Sequence, residues 1–282
     1  MRLTALVLAL AASSACIEIN GADIGRYVER EEKRFTVSGR PALSVSTFDG
    51  SIEVRPWDRA DVEVVVEKHA GSKQSASTID VDAQQNGNTI RVDVRVPALH
   101  AFGFHMNRSA KLIVSVPAGT DLTARSGDGS IDIERINGAI DLHSGDGTIK
   151  GRSLGGDVVV TTGDGSVAID GAFASLRAHT GDGSLRVTAA AGSHASKDWD
   201  LSTGDGSVSV TLPHGFDAEI DAHTGDGGIT LHDVTLSDVT GRIGRNSVKG
   251  RLGAGGPTVR IRTGDGSITL RSDRPSETGD SR

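Results

Sequence analysis

Residues 179–187 read HTGDGSLRV, and the same core returns as RSGDGSIDI (125–133), HSGDGTIKG (143–151), TTGDGSVAI (161–169), STGDGSVSV (202–210), HTGDGGITL (223–231) and RTGDGSITL (262–270). The central aspartates Asp128, Asp146, Asp164, Asp182, Asp205, Asp226 and Asp265 follow one another at steps of 18, 18, 18, 23, 21 and 39 residues. IGRNSVKG (243–250) divides the last step into 19 and 20, and TFDGSIEV around Asp49 adds an earlier copy. Each period holds two short alternating apolar groups, as in Ile131 and Ile133, then Ile140 and Leu142, with glycine turns between them. Alternation punctuated by glycine is the strand signature, and a fixed period near 20 residues marks repeats stacked on one another. The expected fold is all-β, a parallel β-solenoid of 18–23-residue coils in which Ile131, Ile149, Val167, Leu185, Val208, Ile229, Val248 and Ile268 form one buried column. The left-handed hexapeptide solenoid also has 18-residue coils, but needs apolar residues where Asn137 and His143 stand.

Stacking places like over like, so the aspartates form a column. Two unit charges about 4.8 Å apart repel by roughly 0.9 kcal/mol in water, and something must offset that. The architectural reading makes each carboxylate accept backbone N–H groups in an Asx-type turn, with the flanking glycines supplying positive φ. Two residues before each aspartate, Ser126, Ser144, Thr162, Thr180, Thr203, Thr224 and Thr263 would form a hydroxyl ladder. Arg125, His143, His179, His223 and Arg262, three residues before, relieve part of the charge.

A calcium site on the same column is the minor alternative, because carboxylates are hard oxygen ligands. Known calcium solenoids carry an acid at every turn, whereas the second turn here (INGAI, LGGDV, DGAFA) has no systematic acid. A His179–Asp182 transition-metal pair is weaker still. No metal, no cofactor and no catalytic residue is therefore assigned. The sequence holds no nucleophile elbow, P-loop, dinucleotide fingerprint or H-E-x-x-H. A carbohydrate-active enzyme in a β-helix groove would need a unique acidic and basic cluster, and acids repeated at equal weight look architectural. Ice binding is disfavoured, since Thr alternates with Ser beside charges.

At the N-terminus MRLTALVLALAASSAC joins Arg2, an apolar run and small residues before Cys16, as in an export signal too short to span a bilayer. Cys16 is the only cysteine, which excludes an internal disulfide, and it stands where a lipoprotein is processed, with Ser13 in the usual place of Leu. The expected organisation is an export signal at 1–16, a charged tether at 17–40, irregular β coils at 41–118, the regular array at 119–272 and a disordered tail at 273–282. Asn86-Gly87 between alternating strands signals a hairpin. The formal net charge of −7, without a concentrated basic surface, disfavours nucleic acid.

The segments ALSVSTFDGSIEVRPWDRADVEVVVEKHA, TIRVDVRVP and KLIVSVPAGTDLTARSGDGSIDI, with the later TGDGS coils, resemble the bacterial "putative adhesin" family, a domain of unknown function, over about Pro41 to Leu270. That resemblance implies an exported or surface-associated β-solenoid and no demonstrated activity. Together these readings lead us to expect an envelope-associated, non-enzymatic binding or structural scaffold. Its partner would be a glycan or an envelope protein, and any membrane contact would run through lipid on Cys16.

Overall fold

The computed structural model describes residues 15–19, 27–97, 108–241 and 245–273. Residues 1–14 of the expected export signal (1–16) and 274–282 of the expected tail (273–282) lie outside the described residues. The described residues are all-β apart from one helical turn, α1 (Lys73–Ala76), and their strands are stacked and largely parallel in a solenoid-like arrangement.

The repeated motif joins two strands per unit. In chain order the units begin with β3 (Ala42–Thr47) and β4 (Ile52–Trp57), then β9 (Asp121–Ser126) and β10 (Ile131–Glu134). They continue through β11 (Asn137–Ser144), β12 (Ile149–Thr162), β13 (Val167–Thr180) and β14 (Leu185–Ala189). The last three are β15 (Trp199–Thr203) with β16 (Val208–Leu212), β17 (Ala218–Thr224) with β18 (Ile229–His232), and β21 (Thr258–Thr263) with β22 (Ile268–Ser272).

Strands before the motif stack on one side and strands after it on the other. After the motif, Ile52, Ile131, Ile149, Val167, Leu185, Val208, Ile268 and Ile229 are register partners in that spatial order. Before it, Val45, Ala124, Leu142, Val160, Ala178, Leu201, Ile261 and Ala222 are partners in the same way. Every one of these residues is buried. Each Val, Ile or Leu withdrawn from water contributes about 1.5–3 kcal/mol, so the two ladders are the main cohesive element. Where the step departs from 18 residues the core takes aromatics instead: Trp199 is fully buried, its ring 6.0 Å from that of Phe173 and 5.2 Å from that of Phe216.

Among the motif units, spatial order departs from chain order at one place. The last unit, β21/β22, lies between β15/β16 and β17/β18. The expected coil at 243–250 is also corrected. β20 (Ser247–Leu252) runs antiparallel to β17 and to β19 (Leu236–Gly241), so Val248 partners Ala222 and does not join the Ile131 column.

The other end is antiparallel too. β2 (Tyr27–Thr36) pairs along its whole length with β5 (Asp61–Ala70), which pairs with β8 (Ser109–Pro117). Residues 27–36, expected to be tether, are therefore a strand. β1 (Ala15–Ile19) pairs with β2, its Cys16 backbone opposite Glu31. β6 (Asp80–Asn86) and β7 (Thr89–Arg95) form the expected hairpin, with the turn one residue later than Asn86-Gly87: Asn86 pairs with Thr89 across Gly87 (φ 60°) and Asn88. Lys68, buried on β5 between β2 and β8, is held by Glu29 and Glu31 of β2.

Candidate functional site

The motif corners form one long edge, and the hydroxyl closes each corner, not the carboxylate. Ser144 Oγ accepts the N–H of Gly147 (3.0 Å) and donates to the carbonyl of Gly129 in the neighbouring unit (2.9 Å). Ser126, Thr203, Thr224 and Thr263 make the same pair of bonds, and Thr162 and Thr180 donate to Gly147 and Gly165. All seven hydroxyl residues are buried. Asp49, Asp128, Asp146, Asp164, Asp182, Asp205, Asp226 and Asp265 are all exposed. Among the described residues none of these carboxylates accepts a hydrogen bond, so the expected Asx-type quenching is corrected. Being exposed, they repel one another only weakly across the high dielectric of the solvent.

The glycines serve a different purpose from the one expected. Of the motif glycines only Gly50, at φ 122°, has positive φ. The others are required by close approach: a Cβ on Gly147 or Gly165 would stand under 3.0 Å from the backbone of the preceding unit. The first glycines bond directly along the edge, Gly181 N–H to Gly163 C=O at 2.5 Å and Gly225 N–H to Gly264 C=O at 2.7 Å.

Among the described residues no three His, Cys, Asp or Glu side chains converge on a point where a metal ion could sit. His179 Nδ1 lies 3.0 Å from Ser202 Oγ, its neighbour along the stack.

Sequence reasoning missed the charged networks on the broad faces. Asp132 and Glu134 on β10 lie between Arg55 of β4 (2.9 Å to Asp132) and Arg152 of β12 (3.0 Å to Asp132, 3.4 Å to Glu134), with Arg135 3.2 Å from Glu134. This is the kind of non-repeating cluster an enzyme reading asks for, yet it is flat and each acid is already held by arginines. Its signal was present: Arg152 follows Glu134 by one 18-residue step. On the opposite face Asp221 meets Arg262 (2.9 Å) and Lys249 (3.3 Å). Burial raises its pKa, but the bonds and charges of Arg262 and Lys249 outweigh that, and the carboxyl is held below its usual range. For Glu31 burial likewise raises the value, and Lys33 and Lys68 bring it below the usual one. Asp121 is lowered by the Ala139 N–H and by Arg40. A cleft of about 680 Å³ at the antiparallel end is lined by Tyr27, Asp49, His69, Arg108 and Lys111 among others.

The solved structures similar to this chain are distant. A putative cell adhesion protein from Clostridium sporogenes is 12% identical, with 86% of this chain and 100% of that one covered, at a TM-score of 0.36. A putative adhesin from Bacteroides fragilis is 11% identical, covering 86% and 97%, at 0.31. One from Parabacteroides merdae is 10% identical, covering 87% and 96%, at 0.27. No curated protein matches the chain. The Toastrack DUF4097 model matches residues 41–271, the span from the first motif unit to the last, and the chain belongs to that family.

Proposed function

We propose that the protein is an exported, envelope-associated β-solenoid whose motif units are its coils, and that it acts as a non-enzymatic scaffold for an extended, repetitive partner such as a glycan. One observation carries this reading. Parallel pairing in register stacks the units at a strand step of about 4.8 Å, and the exposed corner aspartate recurs in each, so the corner edge offers one contact many times over. A repeating polymer answers such a surface with many weak contacts, each multiplied by the local concentration of the next. Export through the N-terminal signal, with lipid on Cys16, would place the scaffold at the envelope. The test is a glycan array together with pull-down from envelope fractions using the full chain. Retention of a polymeric component supports the reading, and absence of any ligand in both removes it. An enzyme at Asp132 and Glu134 would instead release new reducing ends or unsaturated products from polysaccharides, and would lose that activity in Asp132→Asn.

A further inference from the structure

We propose that the outer face of β14, β16, β22 and β18 binds a carboxylate-bearing polysaccharide, a ligand class for one face that rests on the scaffold reading above. In register, Arg186, Ser209, Thr269 and Thr230 form one outward column, and Thr188, Thr211, Arg271 and His232 form the next. Within these four strands neither column holds an acidic side chain, in a chain whose net charge is −7, and the next residue of the second column, Asp170 of β13, accepts the Ser153 N–H.

Further along the same face, the outward positions of β4, β10 and β12 carry acids and arginines that satisfy one another. Here the arginines are left over: among the described residues no carboxylate lies within salt-bridge distance of Arg186 or Arg271, and the five hydroxyls make no side-chain hydrogen bond. A guanidinium grips both oxygens of a carboxylate through two parallel N–H donors, and hydroxyls at sheet spacing exchange hydrogen bonds with sugar hydroxyls. Arg186 and Arg271 stand two strands and two residues apart, about 12 Å at ordinary sheet spacing, so a polymer reaches both and a monosaccharide only one. Asp182, Asp205, Asp265 and Asp226 border the face four residues before the first column, and their repulsion keeps an acidic chain on the hydroxyl side.

The experiment measures binding of the full chain to immobilised polygalacturonate, dextran and dextran sulfate, with free galacturonic acid as competitor. Wild type is expected to bind polygalacturonate about ten-fold or more tightly than dextran, with competition from the monomer weak. Arg186→Gln/Arg271→Gln should weaken that binding about ten-fold at unchanged melting temperature, whereas Arg177→Gln/Arg260→Gln on the opposite face should not. Equal binding by the Arg186/Arg271 variant, equal binding to dextran, or stronger binding to dextran sulfate would overturn the proposal. If both proteins are still retained by envelope fractions, this face is wrong and the scaffold reading stands. If wild type binds neither glycans nor envelope components, both fall.

Discussion

Replacing Thr180 by Val separates the two accounts of the repeated corner. Thr180 is fully buried, and its Oγ1 donates to Gly165 C=O at 2.7 Å and to Gly163 C=O at 3.1 Å. Valine keeps the shape and removes the donor. Gly163 C=O retains the Gly181 N–H, so the loss falls mainly on Gly165 C=O, which then faces a methyl group. A net hydrogen bond is worth about 1 kcal/mol and a stranded buried acceptor about 1–3, which sets the expected cost at roughly 1–3 kcal/mol. For a protein of this size that lowers the melting temperature by some 2–4 °C per kcal/mol. Asp182→Asn, two residues away, alters an exposed side chain without a protein partner and should change stability by no more than about 0.5 kcal/mol. Urea unfolding of both variants, followed by circular dichroism, reads the difference. If Asp182→Asn loses as much as Thr180→Val, the carboxylate builds the corner and the assignment to the hydroxyl is wrong.

Gly147→Ala should prevent native folding, because its Cβ would meet the Gly129 backbone; Gly228→Ala, with nothing within 4 Å, should fold normally, and expression with circular dichroism distinguishes them. Because the Asp221 carboxyl is held below its unfolded value, its contribution is complete above about pH 4 and is lost as the pH falls through the lower folded value. Asp221→Asn should therefore be less stable than wild type at neutral pH and show a shallower decline below about pH 4, read from urea midpoints across pH. Cys16→Ser should abolish incorporation of labelled palmitate and release the protein from the membrane fraction; label that persists in the variant would place the anchor elsewhere. Deleting residues 254–282 should abolish cooperative unfolding, and a synthetic peptide spanning 255–273 added in trans should restore part of it; a truncated chain with native stability would refute the inserted placement of β21/β22.

The columns were legible because parallel pairing preserves register: an 18-residue step brings Ile131 to Ile149 and then to Val167, all three buried in one column. Which unit neighbours which was not legible. Thr203, Thr224 and Thr263 open nearly identical motifs, and nothing in those residues says that the third sits between the first two. Strand direction was hidden for a similar reason, since alternation such as that of Val62, Val64 and Val66 is the same in parallel and antiparallel pairs. Hydroxyl and carboxylate recur together, so recurrence alone did not say which faces inward. The hydroxyl is cheaper to bury and can both donate and accept, which decides the matter.

The placement of β21/β22 separates the order in which the chain is made from the order in which it is assembled. A chain emerging from its amino end has β15/β16 and β17/β18 before the piece that joins them, and the two cannot pair correctly until residues 258–272 arrive. A chain still lacking them keeps two open β-edges, vulnerable to misassembly. Residues 258–272 act as a keystone, and only a chain that holds them can lock.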